Sequence, residues 1–108
     1  MFGAAQVAAM KSTAVLMNVG RGAVVDEPAL VRALQAGKIR GAALDVFEVE
    51  PLPENHAFYG LQNVLLSPHC ADHIGDFMSL AYDAFFENLE HFRKGEPLEY
   101  LVDKHAGY

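Results

Sequence analysis

The sequence predicts an α/β fold in which about three parallel strands are flanked by helices and followed by a long C-terminal helix. The prediction rests on three apolar runs of strand length, at 13–19, 41–46 and 63–67, each beginning or ending at Gly or Pro. Continuous apolar runs of this kind are typical of parallel strands buried on both faces. A helical pattern with short links separates the first two runs, and this order forms a right-handed parallel βαβ unit.

Three segments carry helix signals. The alanine-rich segment 4–11 has apolar residues at a helical spacing and predicts a short helix. A second helix is expected over 26–36, because Asp26 is a good N-cap residue. The third and longest covers 74–94, where apolar residues recur every three or four positions until Gly95 ends the pattern.

The composition limits the kind of protein this can be. Its 108 residues, 52% hydrophobic and 20% charged, make one globular domain at most. The net charge of -6 predicts no nucleic-acid partner, because phosphate backbones are bound by clustered Lys and Arg. No apolar run approaches the roughly 20 residues of a membrane span, so no membrane partner is expected. A single cysteine, Cys70, and the lack of a signal-like leader indicate a cytoplasmic location.

Polar side chains follow each predicted strand. Arg21 comes after the first, a cluster of carboxylates from Asp45 through Glu48 to Glu50 after the second, and His69 after the third. Ligands on open α/β sheets gather where such strands end. We therefore expect these side chains to share one edge of the sheet.

The residue types suit acid-base chemistry at an oxygen atom. Arg21 offers a planar fork of donors that fits a carboxylate or a keto-acid oxygen. His69 is a natural general acid and base near neutral pH, and Glu50 beside it would fix its tautomer. No metal is expected, because the other histidines show no trustworthy ligand spacing.

Each of these residues also has an ordinary structural interpretation. Arg21 would then be a surface charge, Glu48 and Glu50 solvated acids at a strand end, and His69 a turn residue bonded to backbone. Cys70 is most simply a small buried thiol. The coincidence of polar groups at three similar strand ends is what favours the functional interpretation.

Residues 10–71 resemble the D-isomer-specific 2-hydroxyacid dehydrogenases. The resemblance lies in the segments MK at 10–11, AVLMNVGRG at 14–22, VDE at 25–27, GAALDVFE at 41–48, EP at 50–51 and NVLLSPH at 63–69. It implies hydride transfer between NAD or NADP and a small 2-hydroxy or 2-keto acid. It further implies that Arg21 binds the substrate carboxylate and carbonyl, that His69 exchanges a proton with the 2-oxygen, and that Glu50 pairs with His69.

The resemblance also implies which residues lie near the nicotinamide. The aspartate that matches Asp45 is placed beside it, and the backbone at Val19 and the stretch at Ala71 line the same pocket. The cofactor-binding residues expected on this basis are Val19, Arg21, Asp45, His69 and Ala71.

The chain resembles about the last third of a family member. Residues 1–73 would be the distal part of a Rossmann-like NAD(P)-binding domain, and 74–108 a helix and tail returning toward a substrate domain that this chain lacks. The family's Gly-rich dinucleotide turn is missing. So short a sheet exposes an apolar edge and face, which predicts a homo-oligomer, a dimer in the simplest case. The alternative is a non-catalytic assembly or regulatory fragment that retains only the fold.

Overall fold

The structure, a computed structural model, describes residues 2–106. Its main elements, in chain order, are α1 (Ala4–Ala9), β1 (Val15–Asn18), α2 (Glu27–Gln35), β2 (Gly41–Leu44), β3 (Val64–Leu66) and α3 (Phe77–Lys94). The strands pair in parallel in the order β1, β2, β3. The predicted α/β class, with a three-stranded parallel sheet, flanking helices and a long C-terminal helix, is confirmed.

Local chemistry explains the limits of α2. The Asp26 carboxylate accepts a hydrogen bond from the Ala29 N–H at 2.9 Å and so caps the helix. Pro28 lies in the first turn, where a missing N–H costs nothing. Just past the C-terminus, Gly37 adopts a left-handed φ of 62°. The helix therefore begins and ends where the sequence predicted.

One face of the sheet packs against α2, and the expectation that every strand is buried on both faces was wrong. Leu30 and Leu34 of α2 join Leu16, Ala42 and Leu44 of the sheet in one core cluster. On the opposite face Met17 and Leu65 are each 71% exposed, and both pair with Ala43 across the sheet. Side chains alternate along a strand, so packing against α2 covers only every second residue.

The chain divides after Asp72 into two compact units. The first holds the sheet with α1 and α2, and the second holds α3 and the residues that follow it. α3 begins at Phe77, later than the predicted start at 74, and its N-cap residue Asp76 makes no side-chain capping bond. It ends at Gly95, whose φ is 72°. Within the part of the chain that the structure describes, no helix is long and apolar enough to span a membrane.

Candidate active site

The turn after β1 carries Arg21 and is held by Asn18. Asn18 is 8% exposed, and its Oδ1 accepts a hydrogen bond from the Gly20 N–H at 3.1 Å. Its Nδ2 donates to the Arg21 carbonyl at 2.9 Å, as Asn side chains do in tight turns. The Arg21 side chain is exposed, and its Nη1 donates to the Gly20 carbonyl at 2.7 Å. Because a guanidinium has five N–H donors, this bond leaves donors for a ligand.

Gly22 lets this turn lie against the loop that follows β2. A Cβ atom at Gly22 would lie 1.9 Å from the Phe47 carbonyl carbon and 2.4 Å from the Glu48 nitrogen. Only glycine fits at such a distance. The close approach places the turn near Glu50, whose carboxylate is stabilised by the positive charge of Arg21.

Asp45 fastens the loop after β3 to the end of β2. It is 3% exposed, and its carboxylate accepts hydrogen bonds from the Ser67 hydroxyl at 2.5 Å and the Cys70 N–H at 2.9 Å. A further bond comes from the Ala71 N–H at 2.8 Å. The Ser67 bond above all, with the two backbone bonds and the charge of His69, lowers the pKa of Asp45 from 3.8 to about 2. Asp45 is therefore an anion that holds the segment carrying His69.

His69 adopts a left-handed backbone conformation, with φ at 51°. This region is uncommon for residues other than glycine, although histidine, asparagine and aspartate visit it more often than most. The Cys70 and Ala71 N–H bonds to Asp45 follow directly in the chain and hold the turn in place. Such sparsely populated conformations persist when the surrounding structure fixes them, and they cluster at functional sites.

Glu50 and His69 form a direct pair. The His69 Nδ1 lies 2.6 Å from the Glu50 Oε2, while the Glu50 Oε1 accepts a hydrogen bond from the Phe47 N–H at 2.9 Å. The bond to His69 is the main cause of a lowered pKa of Glu50, followed by the Phe47 bond and the charges of His69 and Arg21. Because Glu50 occupies Nδ1, the His69 Nε2 is the ring nitrogen available to exchange a proton with a ligand.

The structure thus brings Arg21, Glu50 and His69 to one end of the sheet. Of the remaining predicted cofactor positions, Val19 is 64% exposed in the Arg21 turn, and Ala71 is exposed beside His69. Asp45 points its carboxylate at the loop after β3. The assignment of these residues to a nicotinamide site stays a prediction.

An open cavity of about 600 Å³ lies beside Glu50. Its walls are mostly apolar, and Glu50 supplies their carboxylate. The lining residues are Phe47, Glu50, Pro51, Leu52, Tyr59, Leu66, Ser67 and Pro68. The cavity gives a small organic molecule room next to the Glu50–His69 pair.

Cys70 is not an activated nucleophile. Burial raises the pKa of its thiol, and the Asp45 carboxylate adds to the effect by its charge and by a hydrogen bond. The thiolate is the reactive form of cysteine, so this environment suppresses its reactivity.

Among residues 2–106, no group of three His, Cys, Asp or Glu side chains is arranged to hold a metal ion.

Two positioning roles were missed from the sequence. Asn18 was assigned only to a strand, although a polar residue at an inward strand position before Gly-Arg-Gly is a signal for a side chain that holds the turn. Asp45 was expected beside a cofactor, yet three of its hydrogen bonds go to the protein. Its distance from the loop after β3 could not be read from sequence spacing.

Residues 1–71 match the family profile of the D-isomer specific 2-hydroxyacid dehydrogenase, NAD binding domain. The chain belongs to this family. Among curated D-2-hydroxyacid dehydrogenase relatives, the glyoxylate reductase of Korarchaeum cryptofilum is 44% identical over 104 residues, which are 96% of this chain and 31% of that protein. The glyoxylate/hydroxypyruvate reductase B of Citrobacter koseri is 58% identical over 69 residues, 64% of this chain and 21% of that protein.

Solved D-2-hydroxyacid dehydrogenase structures share the fold. One from Xanthobacter autotrophicus Py2, in complex with NADPH and MES, has a TM-score of 0.87 at 42% identity and covers 97% of this chain and 43% of its own. The NADPH-dependent glyoxylate/hydroxypyruvate reductase of Sinorhizobium meliloti, in complex with NADP and sulfate, has a TM-score of 0.86 at 35% identity, covering 99% and 35%. The chain spans about a third of the length of the first curated relatives it matches.

Proposed function

We propose that this chain carries the acid-base site of an NAD(P)-dependent oxidoreductase that interconverts D-2-hydroxy acids and 2-keto acids. The observation that carries the proposal is the 2.6 Å contact between His69 Nδ1 and Glu50 Oε2, beside Arg21 at the C-terminal ends of parallel strands. Family membership supports the same activity. Relatives named glyoxylate reductases and glyoxylate/hydroxypyruvate reductases suggest a small 2-keto acid as substrate.

In this proposal Glu50 and His69 handle the proton. Glu50 accepts a hydrogen bond from the Nδ1–H, so the ring is fixed in orientation and its Nε2 is left for the ligand. In the reductive direction Nε2 donates a proton to the 2-oxygen, and in the oxidative direction it takes that proton back. The lowered pKa of Glu50 keeps it an anion, which stabilises the imidazolium form of His69 when it arises.

Arg21 binds the substrate in the same proposal. Its guanidinium donates to the substrate carboxylate and to the carbonyl oxygen, because its planar fork of N–H donors matches the geometry of these oxygens. When bound, the nicotinamide supplies or accepts the hydride at the carbon that carries the 2-oxygen. Binding of both partners at fixed positions accounts for a large part of the expected rate enhancement.

The residues present fit the nicotinamide end of NAD or NADP. Val19 and Ala71 are exposed on the two loops that also carry Arg21 and His69. The 108 residues contain no G-x-G-x-x-G turn to bind the pyrophosphate. We therefore assign residues 1–73 to the distal part of an NAD(P)-binding domain and 74–108 to the helix and tail that return toward a substrate domain.

A chimera tests this proposal. This chain replaces the matching segment of the Korarchaeum cryptofilum glyoxylate reductase, to which it is 44% identical. We expect the chimera to oxidise NADPH or NADH in the presence of glyoxylate, as followed by nicotinamide absorbance. The 108-residue chain alone should bind either cofactor weakly, because it lacks the pyrophosphate turn.

Two outcomes would count against the proposal. A folded chimera without any glyoxylate-dependent oxidation of either cofactor would remove the proposed activity. Micromolar binding of NADPH to the isolated chain, followed by nicotinamide fluorescence, would show that this chain holds more of the cofactor site than proposed.

The rival proposal, a non-catalytic assembly fragment, draws support from the exposed sheet face. Met17 and Leu65 are each 71% exposed there, and an apolar face of this kind is a common interaction surface.

We propose that the chain is a cytoplasmic homodimer. Light scattering of the purified chain should give twice the monomer mass, and a monodisperse monomer would contradict this part of the proposal.

A further inference from the structure

A buried carboxylate in the first turn of α2 lies close to the Glu50 loop. Glu27 is 8% exposed, although glutamate is rarely buried unless it is paired. Its position at the helix N-terminus favours a negative charge, but the helix dipole alone does not require burial. Its two oxygens contact two different parts of the molecule.

The first oxygen holds the chain where the Glu50 loop begins. The Glu27 Oε1 accepts a hydrogen bond from the Glu48 N–H at 2.5 Å, across 21 positions of sequence. The residue just before, Phe47, donates its own N–H to Glu50 Oε1 at 2.9 Å. The successive N–H groups of Phe47 and Glu48 are therefore bound by two different carboxylates, that of Glu50 and that of Glu27.

The second oxygen faces a histidine. The His56 Nε2 lies 3.7 Å from Glu27 Oε2, and both side chains are largely buried. The His56 Nδ1 accepts a hydrogen bond from the Phe58 N–H at 3.3 Å, so the proton of the neutral ring belongs on Nε2. The ring also packs on Phe58, with centroids 4.6 Å apart, and Phe58 is 1% exposed. His56, whose side chain is 24% exposed, is thus held against Phe58 with a donor facing Glu27.

We propose that Glu27, held by His56, is a positioning residue that sets the place of Glu50 and, through Glu50, of His69. The proposal deepens the proposed function and rests on it for any effect on catalysis. Glu27 touches neither Glu50 nor His69, so it acts through the backbone of Phe47 and Glu48. Loss of the Glu48 bond frees the segment 48–50, which is exposed and carries Glu50.

The pKa of Glu50 is a readout that a merely structural role would not move. That pKa is lowered by the bonds from His69 and from the Phe47 N–H, so it reports whether both are in place. In the 108-residue chain, carboxyl NMR titration of Glu27→Ala should show the pKa of Glu50 raised toward the ordinary range of glutamate. Glu54→Ala is the matched control, because Glu54 is exposed on the neighbouring loop, and it should leave the pKa of Glu50 unchanged.

A conservative variant keeps the test decisive if Glu27→Ala does not fold. The amide oxygen of Glu27→Gln accepts the Glu48 N–H bond but carries no charge, so we expect a smaller rise in the pKa of Glu50.

In the chimera, Glu27→Ala should lower kcat by about 10- to 100-fold with less effect on KM. A folded Glu27→Ala with the wild-type pKa at Glu50 would overturn the proposal. A raised pKa of Glu50 in the Glu27→Ala chain, together with a parent chimera that has no activity at all, would instead support the positioning role and remove the proposed function.

Discussion

Replacing His69 with asparagine should lower kcat of the chimera by about 10²- to 10⁴-fold, the usual contribution of a positioned acid-base group. The variant removes the imidazole that exchanges a proton with the 2-oxygen. Asparagine suits the site because it, too, tolerates the left-handed backbone, where His69 has a φ of 51°. The Asp45 bonds to the following N–H groups should therefore survive, and the loss should reflect chemistry and not misfolding. Steady-state assays with glyoxylate give kcat and KM separately.

His105→Asn is the control for this prediction. His105 lies on the exposed C-terminal segment, and the same substitution there should leave kcat unchanged. If His69→Asn retains kcat within a few-fold while folding normally, His69 is not the proton donor. The rival assembly proposal gives His69 no acid-base role and expects the two variants to behave alike, so the pair separates the two proposals.

Gly22→Ala should destabilise the first unit by about 3 kcal/mol or more, at or above the upper end of overpacking effects. A Cβ atom there would lie 1.9 Å from the Phe47 carbonyl carbon, and backbone cannot rotate out of the way as a flexible side chain can. Relief of the clash must move the Arg21 turn away from the loop that carries Glu50. Urea unfolding followed by circular dichroism measures the loss of stability.

Gly60→Ala offers a matched control. Apart from Gly60 and its chain neighbours, no atom would lie within 4 Å of a Cβ at this position, and its φ is not positive, so the same added methyl group meets open space. We expect its unfolding midpoint to stay close to that of the parent chain. Equal midpoints for Gly22→Ala and the parent would show that the loops separate without cost and would contradict the close approach.

Much of the fold follows from capping residues and apolar runs that can be recognised directly in the sequence. Asp26 and Gly37 mark the two ends of α2 because capping depends on neighbours in the chain. The strands lie inside the predicted apolar runs, but β1 is shorter than 13–19 because only Val15–Asn18 pairs with β2. The exposure of Met17 and Leu65 could not be predicted, since it depends on what packs against the sheet and not on the apolar run itself.

In the candidate site, too, some features could be predicted from the sequence and others depend on tertiary packing. Convergence of Arg21, Glu50 and His69 was predictable, because parallel strands end at one edge of a sheet. The separate roles of Asp45 and Glu50 depend on which carboxylate reaches which loop, and the distances that decide this arise from tertiary packing. The burial of Glu27 was not predicted, because an acid in the first turn of a helix is ordinarily a surface residue that complements the helix dipole.

The bonds that Asp45 makes to the loop after β3 have a consequence for sequence variation. Asp45 accepts hydrogen bonds from the backbone N–H groups of positions 70 and 71, so these bonds do not depend on which side chains those positions carry. Natural or designed replacements of Cys70 and Ala71 should therefore be tolerated by the loop, with proline as the exception because it has no N–H. The segment beside the candidate proton donor is free to diversify, and mutational libraries that aim to alter ligand preference have a natural place to begin.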